Sequence, residues 1–334
     1  MNTLTHHLPR TSLAYLPTPL EPMDSLRKHL GDKCPHLLIK RDDLTGLATG
    51  GNKTRKLEFL LGDALQQNTD IIITTGGAQS NHCRQTAAAC AKLGLPCVLV
   101  LSGEAPSDAA WHGNLLLDVL FNAKIRWIGA RDRAEACAEV ADEWRAQGHT
   151  PYIIPTGGSI PRGASGYVAA VEELAAQLDA MNASVDRIVF ASGSGGTHAG
   201  ILVGVKALGM NTRVEAVALE DLTGFTNNLS RQTAAFLGFD MAFDDDDFVF
   251  HNVYESHPYG VITDVEREAI RLLANTEGIL ADPVYTARAF AALVDHIKRG
   301  IYAHDETVLF WHTGGTAGLF ARADELMSYL FTYP

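Results

Sequence analysis

Residues 50–56, Gly50-Gly51-Asn52-Lys53-Thr54-Arg55-Lys56, join two glycines to a lysine whose amine can act as a nucleophile. If a helix starts here, its free amides favour a phosphate beside Lys56. A lysine at a helix start is also a common surface charge, so the heptad alone leaves both readings open. A second loop, residues 76–82, offers Gln79, Ser80 and Asn81 as convergent donors to a carboxylate, although Ser80 or Asn81 would serve equally as a helix N-cap. The third, residues 192–200, is the turn Gly193, Ser194, Gly195, Gly196 and Thr197, a backbone nest for a phosphate. It imitates a dinucleotide fingerprint with Glu220 as ribose ligand, but His198 stands where the third glycine belongs, so one phosphate fits better than a pyrophosphate. His198 itself reads as structural. In residues 312–316, Thr313 either faces a ring nitrogen or caps a helix. Tyr259 and Tyr285 fall in or beside loops, where a tyrosine either packs or takes part in chemistry.

Short apolar runs at 37–40, 71–74, 97–101, 124–128, 152–154, 188–191, 214–219 and 307–311 read as buried strands. They alternate with helical patterns, which predicts an α/β protein with mostly parallel sheets. The glycine loops follow such strands, and open parallel sheets bind their ligands at the carboxyl ends of the strands. From Lys53 onward, Leu57, Leu60, Leu61, Ala64 and Leu65 fall on one helical face, so Lys53 is expected at a helix start. Glycine-marked loops near Gly50 and at 157–166 bracket a four-strand stretch. The expected organisation is a larger lobe of residues 1–52 and 165–334 with a smaller lobe, 53–164, inserted in it.

The chain has 334 residues, 46% hydrophobic and 20% charged, with a formal charge of -12. Without a long basic run, that charge argues against a nucleic-acid partner. No signal-like h-region or membrane-length apolar stretch occurs, so a cytoplasmic protein with no membrane partner is expected. The five cysteines, Cys34, Cys83, Cys90, Cys97 and Cys137, read as reduced core thiols. Cys83 and Cys90 could pair on a metal, but no ligand cluster has a recognised spacing, and no metal is expected. Residues 244–247 are four aspartates that read as a solvated loop, since they lack the pattern of a calcium loop.

Together, Lys40-Arg41-Asp42-Asp43, residues 50–58, Gln79-Ser80-Asn81-His82, the Gly193 turn, Tyr259-Gly260-Val261, Asp282-Pro283-Val284-Tyr285-Thr286 and His312-Thr313-Gly314-Gly315 resemble the D-cysteine desulfhydrase and 1-aminocyclopropane-1-carboxylate (ACC) deaminase family. The resemblance spans nearly the whole chain. It implies a two-domain fold type II pyridoxal-phosphate enzyme, each lobe an open twisted sheet flanked by helices, working as a homodimer on a small amino acid. By position it implies Lys53 as the Schiff-base lysine and proton carrier. Phosphate contacts would come from Lys56 and the 193–197 turn, and substrate-carboxylate contacts from Gln79, Ser80 and Asn81, with Asn81 also near the cofactor. Tyr259 and Tyr285 would line the site. β-Elimination would release pyruvate and ammonia.

ACC deaminases in this family resemble one another in having Glu after Asp-Pro-Val-Tyr and Leu where Thr313 stands. Thr286 and Thr313 therefore point to the D-cysteine desulfhydrase branch, with hydroxyl groups approaching the pyridine ring. L-cysteate sulfo-lyases, which expel sulfite, are equally compatible with residues 45–51. Their leaving group would need cationic or multiple donors, for which Arg162 and His257 are candidates. Ile160 and Ser165 depart from the desulfhydrase pattern, which has Asn and Leu there. ACC deaminase activity, a non-catalytic pyridoxal-phosphate carrier and a nicotinamide-dependent dehydrogenase are the other readings to be separated.

Overall fold

The computed structural model describes residues 3–107, 111–219, 221–251 and 260–330. In chain order its elements are β1 (Leu20–Pro22), α1 (Asp24–Leu30), β2 (His36–Arg41), α2 (Lys53–Gln66), β3 (Ile71–Gly77), α3 (Asn81–Leu93), β4 (Cys97–Ser102), α4 (Gly113–Leu120), β5 (Lys124–Trp127), α5 (Arg133–Arg145) and β6 (Pro151–Ile154). There follow α6 (Pro161–Met181), β7 (Arg187–Ser192), α7 (Gly196–Ala207), β8 (Arg213–Ala218), α8 (Thr223–Phe236), β9 (Val249–His251), α9 (Asp264–Glu277), α10 (Thr286–Lys298), β10 (Thr307–His312), α11 (Thr316–Phe320) and α12 (Ala323–Leu330).

The strands form two sheets. Six are ordered β1-β2-β10-β7-β8-β9 and four are ordered β5-β4-β3-β6. All pairings are parallel except β1 with β2. The eight expected strands are present, so the α/β class read from the sequence holds; β1 and β9 are additional short edge strands.

Continuous apolar strands work here because both faces of each sheet are covered. Along β10, Val308 and Phe310 enter one core with α9 and α10, while Leu309 and Trp311 enter the opposite core with α6 and α7. On the smaller sheet, Ile72 and Leu99 meet α2 and α3, whereas Ile71, Ile73, Val98 and Val100 meet α5. The period of two thus divides each strand between two cores. Leu57, Leu60, Leu61 and Ala64 of α2 are fully buried, as the helical spacing required, and they fix the helix whose first residue is Lys53, whereas Leu65, expected on the same face, is exposed near its end. The loops after β3, β7 and β10 then meet at the carboxyl ends of the strands.

Candidate active site

The loop before α2 is held from both sides. Ala48, Thr49, Gly50 and Gly51 all have positive φ, and a Cβ on Gly50 would lie 1.8 Å from the Asp43 carbonyl oxygen, so only glycine fits there. The Gly51 N–H donates to the Asp42 carbonyl at 2.9 Å and to Thr45 Oγ1 at 2.8 Å. The Asn52 N–H donates to the Thr313 carbonyl at 3.0 Å, which joins the lysine loop to the loop after β10.

Behind it, the buried Asp42 carboxylate accepts from Arg55 Nε and Nη2, both at 2.8 Å, from Tyr167 at 2.6 Å and from Thr18 at 2.9 Å. Burial alone would push this carboxyl up, but the charge and hydrogen bonds of Arg55, with Tyr167, hold it below its usual range. Arg55 continues to Glu173, which also receives Lys40 at 2.6 Å.

Lys53 projects into a cavity of about 680 Å³ that Ser80, Asn81, Gly193, Tyr285 and Thr313 also line. Its Nζ donates to Asn52 Oδ1 at 3.0 Å, and Asn52 Nδ2 donates to Thr197 Oγ1 at 3.0 Å. Burial and then the positive charge of Arg84 bring the amine down from its usual value to about 8, against the pull of Asp282. A substantial neutral fraction near pH 7 is what an amine nucleophile needs.

Arg84 was not among the residues singled out from the sequence, where an arginine in an alanine-rich helix reads as a surface charge. The fold buries it completely. It donates to the carbonyl oxygens of Ala48 and Gly50 and to Thr49 Oγ1 in the lysine loop, to Asn114 Oδ1 and to Asn81 Oδ1. One planar fork thus holds the lysine loop against the loop after β3.

In that second loop Ser80 caps α3, its Oγ accepting from the Cys83 N–H at 3.2 Å. This is the ordinary N-cap role, and it leaves the hydroxyl hydrogen available to a ligand. Asn81 Oδ1 also accepts from Asn114 Nδ2 at 2.9 Å, which orients the amide. The Gln79 side chain is engaged at the start of α4, donating to the His112 carbonyl and accepting from the Asn114 N–H. His82 Nε2 meets Thr74 Oγ1 at 2.8 Å, while its buried Nδ1 has no partner among the described residues; burial, then Lys53 and Lys56, keep the ring neutral.

The third loop opens α7 with Gly195 at φ 73°. A Cβ on Gly193 would fall 2.8 Å from the Tyr285 ring, and one on Gly196 would fall 2.7 Å from Lys56 Nζ and Ser159 Oγ. Lys56 therefore lies beneath the turn, donating to the Gly157 carbonyl at 3.1 Å, and is not itself among the cavity-lining residues. His198 is buried among Phe190, Phe248 and Phe250, and burial pushes it down to about 3, in keeping with a structural ring.

Asp282 is the other residue not singled out. Fully buried, it accepts from the N–H groups of Val284, Tyr285 and Thr286 and from Thr286 Oγ1, fixing the start of α10 and the backbone of Tyr285. Its place at a loop-to-helix boundary was a legible capping signal. Thr286 is consequently tied to Asp282 and does not line the cavity, whereas Thr313 does. Arg162 is paired with Asp63 at 3.1 Å and stacks over Phe236, also outside the lining. Tyr259, His257 and Glu220 lie outside the described residues.

Beside Arg84, the buried carboxylate of Asp118 has no hydrogen-bond partner among the described residues, and burial raises it to about 8 against the pull of Arg84. Its folded value exceeds its unfolded one, so stability is lost as pH rises from the usual carboxylate range through about 8. Asp118→Asn should therefore stabilise the protein by about 1–3 kcal/mol at pH 8 and leave it nearly unchanged at pH 4, as read from urea midpoints.

An aldehyde cofactor carrying one phosphate fits this cavity. An amine projects into it, a glycine turn with free helix amides borders it, and Ser192 Oγ and His82 Nδ1 are buried at its wall without partners among the described residues. The comparisons agree. The family described as "Pyridoxal-phosphate dependent enzyme" matches residues 11–314. The D-cysteine desulfhydrase of Yersinia enterocolitica is 42% identical over 330 residues, covering 96% of this chain and 98% of that protein. That of Salmonella schwarzengrund is 42% identical over 331 residues, covering 95% and 98%. A solved structure described as an ACC deaminase homologue superposes with a TM-score of 0.89 at 39% identity, covering 97% of each chain. A pyridoxal 5'-phosphate-dependent aspartate racemase, with a TM-score of 0.65 at 16% identity over 89% of this chain and 90% of its own, shares the fold.

Proposed function

Because the chain belongs to the pyridoxal-phosphate-dependent enzyme family, we propose that it is a carbon–sulfur lyase converting D-cysteine and water to pyruvate, ammonia and hydrogen sulfide. The observation that carries this reading is the buried Lys53 amine in one cavity with the Ser80 and Asn81 donors, in a chain that matches D-cysteine desulfhydrases along nearly its whole length.

Pyridoxal phosphate, when bound, supplies an electron sink that weakens the bonds at the substrate's α-carbon. The residues then divide the work. Amides and hydroxyls of Gly193, Ser194, Gly195, Gly196 and Thr197 hold the phosphate at the start of α7, and Lys56 supports that turn from below. Thr313 faces the ring, and Asn81 serves both cofactor and substrate. The Ser80 hydroxyl and the Asn81 amide, with the first turn of α3, bind the substrate carboxylate, and Gln79 holds their loop against α4. Lys53 Nζ takes the α-proton, with Tyr285 against the Gly193 turn closing the opposite side. Thr286 would act on the proposed site through Asp282, and Tyr259, outside the described residues, is assigned to it by the resemblance alone.

The reading extends to a homodimer in the cytoplasm. Leu116, Val119 and Leu120 of α4 and Phe320 of α11 are exposed and offer apolar surface to a second copy, and the five buried cysteines are unpaired, as in a reducing compartment. Residues 1–52 and 165–334 form the cofactor-binding lobe and 53–164 the inserted one, supported by the division of strands between two sheets.

An amine at about 8 is about one tenth neutral at pH 7, against about three parts in ten thousand for an ordinary lysine. Reattachment of cofactor to apo-protein, followed by visible absorbance, should accelerate severalfold between pH 7 and 8 and level off above it. A rate still rising tenfold per pH unit toward pH 10 would contradict the depressed amine.

Parallel product assays on D-cysteine, L-cysteine, L-cysteate and ACC test the activity itself. Sulfide and pyruvate from D-cysteine are expected; sulfite from L-cysteate or 2-oxobutanoate from ACC as the main product would replace the reading, as would no turnover of any of the four. The pairing of Arg162 with Asp63 favours sulfide, since it removes that cation from a sulfonate.

A further inference from the structure

On the face of the larger sheet covered by α10, the third residue of β8 is Glu215, only 1% exposed, at a strand position where an aliphatic side chain would cost far less. We propose that Glu215, His251 and His296 form a binding site for a first-row divalent metal ion of the zinc or cobalt type, separate from the cavity that holds Lys53.

These residues come from β8, β9 and α10, and Glu215 and His251 are 36 residues apart, which explains why no ligand spacing is visible in the sequence. One donor atom from each lies within 4.8 Å of the other two. Glu215 Oε2 and His251 Nε2 are 2.9 Å apart, and the two imidazole rings meet edge to face with centroids 4.3 Å apart. Two histidines and one carboxylate suit zinc and its neighbours, whose bonds of about 2.0–2.2 Å hold neighbouring donors farther apart than a hydrogen bond, so Glu215 and His251 would part slightly to admit the ion.

The surroundings support such a set. Arg187 Nη1 holds the other oxygen of Glu215 at 2.6 Å and is itself paired with Glu306. The Tyr302 hydroxyl stands 2.9 Å from His296 Nδ1 and donates to Glu215 Oε2 at 3.0 Å. Metal-binding carboxylates and imidazoles are oriented by hydrogen bonds of this kind. His251 is the least buried of the three ligands. A bound ion would clamp the edge strand β9 to β8 and to α10, so its effect falls on stability and not on turnover.

The holoenzyme, stripped with a chelator and dialysed, is titrated with Co²⁺. The proposal expects one ion per chain, visible d–d bands without a thiolate charge-transfer band, displacement by equimolar Zn²⁺ and a melting temperature that rises with metal. His251→Ala and His296→Gln should each weaken binding at least about tenfold while leaving turnover of the stripped enzyme unchanged; circular dichroism confirms that both variants fold. Absence of one-equivalent binding overturns the site, as does binding that persists in both variants or shows thiolate bands.

Discussion

Lys53→Ala is expected to lose turnover by at least about a thousandfold, because the proposed mechanism assigns to one amine both the covalent anchor for the cofactor and the proton carrier at the α-carbon. Fold and expression should survive. The side chain projects into the cavity, and the buried face of α2 is carried by Leu57, Leu60, Leu61 and Ala64. The variant should bind pyridoxal phosphate reversibly, through the α7 turn, and lack the visible absorbance of the lysine-bound form. A methylamine supplement that restores part of the rate would separate a lost amine from a collapsed site. Turnover within tenfold of the parent would remove Lys53 from the mechanism.

Asp42→Ala carries the largest expected effect on stability, a loss of about 3–5 kcal/mol. The carboxylate balances the positive charges of Arg55 and Lys40 jointly with Glu173, and its removal also leaves the Tyr167 hydroxyl without its acceptor and the Thr18 hydroxyl with only a long bond to Glu173. Because its folded pKa lies below the unfolded one, the stabilisation is present above the usual carboxylate range and is lost as pH falls through the folded value. The difference between parent and variant in urea midpoint should therefore be widest near neutrality and shrink in acid. Equal midpoints at pH 7 would show that Glu173 alone neutralises the pair.

How much was legible before the fold was known follows from the kind of signal each feature leaves. The six interior strands, β2, β3, β4, β7, β8 and β10, announced themselves because burial on both faces favours continuous apolar runs; the edge strands β5 and β6 left shorter ones, and β1 and β9, three residues long at the edges of the larger sheet, left none. The glycine turns were legible for a related reason, since Gly50 and Gly196 stand where a Cβ would strike backbone or a buried side chain.

The roles inside the site were less so. Thr286 was expected beside the pyridine ring by motif position, but its hydroxyl is bonded to the Asp282 carboxylate, and nothing in the local sequence distinguishes those two uses. Arg84 left no signal at all. Its importance arises from three partners on separate segments, the loop at 48–50, Asn81 and Asn114, which only the tertiary fold assembles. Lys56 shows the same limit: the heptad suggested a lysine beside a phosphate, but it is the packing of Gly196 over its amine that sets it beneath the turn at the start of α7.

Borohydride reduction of the holoenzyme, digestion and mass spectrometry test the central claim most directly. The account predicts a single pyridoxyl adduct on Lys53, formed in the parent and missing from Lys53→Ala. An adduct on the neighbouring Lys56, or none on any lysine of an enzyme that still releases sulfide from D-cysteine, would contradict it.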